Sequence, residues 1–156
     1  MSTNCRDLLT VPRQSDAVAL LERLAASYPV LRAEMRACSG DASVAEWALL
    51  SFSAERRCTQ ALRAAGIPYD LCVHHQTRSE DGPRFFNEYF RPGGSAANTV
   101  HRVRTTEEGE LFLALSDWDA VAARPGGPIT REDVLAHLGV PPNPLAAWHR
   151  IHPSAS

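Results

Sequence analysis

The sequence predicts an α+β fold in which N-terminal helices pack on a small antiparallel sheet and short helices close the C-terminus. Three observations predict it. Glycine and proline are sparse through residue 65, with one Gly and two Pro, and dense after it, with eight Gly and nine Pro. Helical periodicity fills residues 15–66, and period-two alternation sets in at Tyr69. Proline-rich breaks at 125–128 and 141–142 cut the remainder into short pieces. The expected organisation is one domain. It has a helical part over 15–66, a strand-and-turn part over 69–116, short helices over 117–151, and frayed tails at 1–12 and 152–156.

Each element follows from local chemistry. Ser15 is the expected N-cap of a first helix with Val18, Leu21, Leu24, Ala25 and Tyr28 on one face. Pro29 breaks that helix and opens a second piece reaching Cys38. Ser43 and Glu46 have capping-box spacing, and Gly66 with Pro68 supplies a stop, so a third helix is expected between them. Its apolar stripe would be Trp47, Leu50, Ala54, Cys58, Ala61, Leu62 and Ala65, with Glu55, Arg56 and Arg63 solvated on the other side. Over 69–76, Tyr69, Leu71, Val73 and His75 alternate with Asp70, Cys72, His74 and Gln76, the pattern of a half-buried strand. The aromatic run Phe85, Phe86, Tyr89 and Phe90 reads as a strand between turn-rich flanks. Thr99–Thr105 and Leu111–Leu115 are expected to form a hairpin around Gly109. Asp117–Arg124, Arg131–Leu138 and Pro144–Ile151 read as the closing helices.

Composition removes whole classes of chemistry. All sixteen basic residues are arginine. Without an ε-amine there is no lysine aldimine, no Schiff-base aldolase and no phosphate loop built on lysine. The lack of lysine, with 23 alanines and 11 prolines, fits GC-rich coding and a bacterial source. No GxGxxG fingerprint occurs, so no organic cofactor is expected. Net charge is −2, which disfavours wholesale binding of nucleic acid or acidic membranes. No apolar run reaches a bilayer span, and no signal-peptide pattern opens the chain, so a cytoplasmic protein is expected. Cys5, Cys38, Cys58 and Cys72 lack metal or redox spacing and read as reduced thiols.

The candidate catalytic group is Asp70, Cys72 and His74, which leave one strand face at intervals of about 7 Å, with His101 from a later strand. Asp70 could orient a histidine, and His74 or His101 could move a proton near neutral pH. Cys72 beside His74 could instead act as a thiolate. A metal set of His74, His101 and Asp70 is the weaker alternative, and no metal is expected. Arg102 and Arg104 share a strand face and could clamp a carboxylate or phosphate, although pairing with Glu88 or Glu110 competes. Phe86 and Tyr89 could stack a planar substrate.

Thr130–Trp148 resembles the helix-turn-helix of phage-repressor-like regulators, with Gly139 as the turn glycine, Val140 after it, and Leu145 and Trp148 facing inward. Leu135 replaces the usual small residue, and the second helix has no basic residue before Arg150, so DNA binding is disfavoured. The expected function is therefore cofactor-independent histidine acid/base chemistry on a small-molecule substrate. The alternative is a non-enzymatic accessory or regulatory protein that binds a partner or a second copy of itself.

Overall fold

The computed structural model describes residues 7–38, 42–75, 84–93 and 100–146. It is built on one six-stranded antiparallel sheet rather than on a small sheet beneath N-terminal helices. In chain order the elements are β1 (Asp7–Pro12), α1 (Ala17–Ser27), α2 (Pro29–Glu34), β2 (Met35–Cys38), β3 (Val44–Leu49) and α3 (Phe52–Ala64). They continue with β4 (Tyr69–His75), β5 (Arg84–Phe90), β6 (Val100–Arg104), α4 (Leu115–Ala122) and α5 (Arg131–Leu138). Strand order across the sheet is β2-β3-β1-β4-β5-β6. The first four strands and their crossovers trace a β-α-β-β-α-β path of split β-α-β units, the ferredoxin-like arrangement. β5 and β6 widen that unit beyond β4.

Three expectations are corrected by this sheet. Residues 7–12, expected as tail, form a strand between β3 and β4 whose Leu9 and Val11 are fully buried. The second helix stops at Glu34, and Met35–Cys38 turns into edge strand β2. The third helix begins at Phe52, not near Ser43. Ser51 is its N-cap, accepting from the Ala54 amide at 3.0 Å. Residues 44–49 are strand because β3 lies between β1 and β2, and burial on both faces gives it an apolar run with no clean alternation. Trp47 is still a core residue, but from β3. The expected end of α3 holds: Gly66 has φ 67, and the Ile67 amide closes on the Leu62 carbonyl.

Parity along the strands separates two faces. Leu9, Val11, Ala45, Trp47, Leu49, Tyr69, Leu71, Val73 and Phe90 point toward α1, α2 and α3, where Leu21, Leu31, Ala54, Cys58 and Leu62 complete the main core. Tyr89 and Val103 point the other way and pack with Val140 beside Leu135 and Leu138. The C-terminal layer thus covers the β5–β6 end of the second face, while the helices cover the β1–β4 end of the first. On the helix-side face of β5 and β6, Phe90 and Glu88 are buried, and Phe86 and Arg102 form a ledge beside α3.

Toward the C-terminus, the expected hairpin is reduced to a Thr105–Leu111 bridge, after which α4 begins at Leu115. The α5 bounds are those expected, with a Thr130–Asp133 capping box and Gly139 in the left-handed region at φ 90. Gly139 packs beside the His101 ring, where a Cβ would lie in ordinary contact 3.6 Å from its Nδ1, so the positive φ is what favours glycine there. Residues 144–146 are not helical, and the rest of the expected final helix, including Trp148, lies outside the described residues. Among the described residues no helix is long and apolar enough to cross a membrane.

Candidate functional site

Asp70, Cys72 and His74 leave the same face of β4, as the alternation predicts. His101 shares that face on β6, but the register keeps it away from His74. Asp70, Tyr89 and His101 form one row across three strands, whereas His74 lies in the row of Phe85. Four residues along the strands and two strands across amount to about 16 Å between the two positions. The His74 and Phe85 rings meet in a T-shaped contact, centroids 5.1 Å apart. The side chain of His75 lies outside the described residues.

Asp70 is fully buried and serves the architecture. Its Oδ2 accepts from the Leu145 and Ala146 amides at 2.7 and 3.0 Å. Arg91 Nη2 stands 2.7 Å from Oδ1, close but off the hydrogen-bonding axis. Burial raises the Asp70 pKa against the opposing pull of Arg91 and the two amides. These contacts tie residues 145–146 to the sheet and leave Asp70 no imidazole to orient. Burial, reinforced by Asp7, pushes the Cys72 thiol up to about 11, so it stays protonated near neutral pH and is a poor nucleophile. Tyr89, expected to stack a substrate, is buried beneath Val140 in the C-terminal layer. Among the described residues, no three of His, Cys, Asp and Glu gather as a metal-ligand set.

The opposite face holds the other expected group. Phe86, Arg102 and Arg104 alternate onto the ledge, in the register Phe86–Arg104 and Glu88–Arg102. Arg102 pairs with Glu88, as the sequence allowed, while Arg104 lies over the Phe112 ring instead, 5.0 Å from its centroid. Between this ledge and α3 runs a cleft of about 360 Å³ lined by Glu55, Arg56, Arg63, Phe86, Glu88 and Arg102, among others.

Glu88 organises the cleft. It is 2 % exposed, and both of its oxygens are bonded. Oε1 accepts from Arg102 Nε at 2.9 Å, while Oε2 accepts from Arg63 Nη2 at 3.0 Å and from the Tyr69 hydroxyl at 2.8 Å. Arg63 Nε also donates to the Tyr69 oxygen at 2.8 Å. Burial and the Glu88 charge raise the Tyr69 pKa, which keeps the phenol a donor. Arg102 is held by Nε alone, and Arg63 by Nε and Nη2. Among the described residues, no protein acceptor engages Arg102 Nη1 or Nη2, or Arg63 Nη1. The Arg102 guanidinium also lies over Phe86, 5.0 Å from the ring centroid.

Sequence reasoning placed Arg63 and Glu55 on a solvated helix face. In fact Arg63 is half-buried and Glu55 buried, because β5 and β6 extend the sheet beneath that side of α3. One signal was available: Glu88 falls between Phe86 and Phe90 in the alternation, so an acid had to enter an apolar face and find cationic partners there. Comparison of the chain with protein-family models, curated proteins and solved structures returns no match.

Proposed function

We propose that this protein binds a small organic anion in the cleft between α3 and the β5–β6 ledge. One observation carries the reading: the buried Glu88 carboxylate holds Arg102 by Nε and Arg63 by Nη2, and among the described residues Arg102 Nη1 and Nη2 and Arg63 Nη1 have no protein acceptor beside the cleft. Such a fork matches a carboxylate or phosphate in two parallel hydrogen bonds. Because Glu88 and Tyr69 already fix the guanidiniums, little side-chain entropy is lost when an anion arrives. Among the described residues no histidine lines the cleft, and the reading is one of recognition that a non-enzymatic binding protein and an enzyme would share.

Thermal unfolding with a panel of small organic acids and their neutral amides tests the proposal. Anions should raise Tm where amides do not, since a ligand at 100 times its Kd stabilises by about 2.7 kcal/mol. The Arg63→Gln/Arg102→Gln double variant should lose that rise. Equal shifts from acids and amides, or an undiminished rise in the double variant, would sink it.

A further inference from the structure

Resting on the cleft reading, we infer that the preferred ligand is a singly charged aromatic carboxylate rather than a phosphate ester. Charge balance is the first argument. Arg56, Arg63 and Arg102 line the cleft with Glu55 and Glu88, and three guanidiniums against two carboxylates leave one positive charge. One carboxylate cancels that charge, whereas a phosphomonoester brings close to two negative charges, and part of its charge would be desolvated without a partner.

Shape is the second argument. The open Nη1 and Nη2 of Arg102 form the planar edge that a two-oxygen carboxylate meets side-on. The third is the apolar surface beside that edge. Phe86 lies beneath the Arg102 guanidinium, and Phe52, 60 % exposed, stands at the start of α3 on the same cleft. A flat ring attached to the carboxylate can stack on Phe86 or on a guanidinium face. A volume of about 360 Å³ is near the lower end for ligand pockets and suits one substituted ring better than a nucleotide.

Glu88 is then a positioning residue that also sets the charge preference. Removing its charge in Glu88→Gln raises the local balance to two positive charges and should turn the preference toward the dianion. Arg56→Gln, at an exposed position on α3, lowers the balance to zero without touching the buried contacts, so it keeps the test open if Glu88→Gln fails to fold.

The experiment titrates the full chain with benzoate, acetate, phenyl phosphate and benzamide by calorimetry, with NMR of ¹⁵N-labelled protein locating each site. Benzoate should bind at least about tenfold more tightly than the other three, and the Arg63→Gln/Arg102→Gln variant should lose about tenfold or more. The benzoate to phenyl phosphate ratio should fall in Glu88→Gln and rise in Arg56→Gln. Tighter phenyl phosphate, still dependent on Arg63 and Arg102, overturns the carboxylate assignment and leaves the cleft reading standing. Acetate as tight as benzoate removes the aromatic part alone. Benzoate bound equally well by the double variant, or no binding by any of the four, overturns the cleft reading and this inference together.

Discussion

Asp70 and Glu88 are two buried acids on neighbouring strands, each paired with arginine and each facing opposite sides of the sheet. Their partners decide what they can do. Asp70 is occupied by two backbone amides and by Arg91, whose side chain is 20 % exposed and is itself bonded to the carbonyls of Tyr69, Phe90 and Asn143. Nothing in that set faces a ligand. Glu88 is occupied by side chains whose far ends reach open space, with Arg102 59 % exposed. A buried carboxylate is therefore a poor guide to function by itself. The informative quantity is whether its cationic partners have unused donors.

Removing the closed acid should produce the largest effect. Asp70→Ala is expected to cost about 3–5 kcal/mol, because it leaves Arg91 and two amides without their acceptor. Denaturant unfolding measures it, and a loss below about 1 kcal/mol would show that the C-terminal layer is held some other way. The thiols supply a second comparison. Cys72 holds its proton to about 11 and Cys58 to about 12, whereas an unperturbed thiol ionises at 9.0. Between those values the unfolded chain binds fewer protons than the fold. Stability is then complete below pH 9 and falls as pH rises, by about 1.4 kcal/mol per thiol per pH unit. Unfolding curves at pH 8, 9 and 10 check the sign, and constant stability would mean that the two thiols are already open to water. The smallest effect is expected on the ledge. Arg102→Gln should cost no more than about 1 kcal/mol even though it removes a cleft donor, because Glu88 keeps Arg63 and the Tyr69 hydroxyl and the Arg102 side is open to water. A larger loss would make Arg102 a structural residue like Arg91 and erase the distinction between the two acids.

The parts of this fold that were legible in the sequence are those whose periodicity reports a single buried face. Tyr69–His75 alternates because one side meets the helices, and Arg131–Leu138 carries its capping residues and its stop glycine in plain view. β1 and β3 were not legible because they lie inside the sheet. Val44–Leu49 is buried on both sides except at Glu46, and Ser43 with Glu46 imitates a helix start. For the site, the alternation put Arg102 and Arg104 on one face, and strand parity already set Tyr89 opposite Phe86, so grouping those two aromatics around one substrate was at odds with the strand reading itself. The separation of His74 from His101 depends on pairing register, which adjacent residues do not encode. Arg63 was missed because helix amphipathicity was judged against water, and β5 and β6 stand where water was assumed.

The amides bonded to Asp70 belong to residues 75 and 76 positions further along the chain. Loops of that length close slowly, and their entropy must be met before the contact gives anything back. The main core is drawn from β1–β4 and α1–α3 with Phe90 of β5, while the bonds to Leu145 and Ala146 need nearly all of the described chain. Asp70 thus ties the late part of the described chain to a central strand through a contact of very high sequence separation, the kind that weighs most on how fast a fold forms.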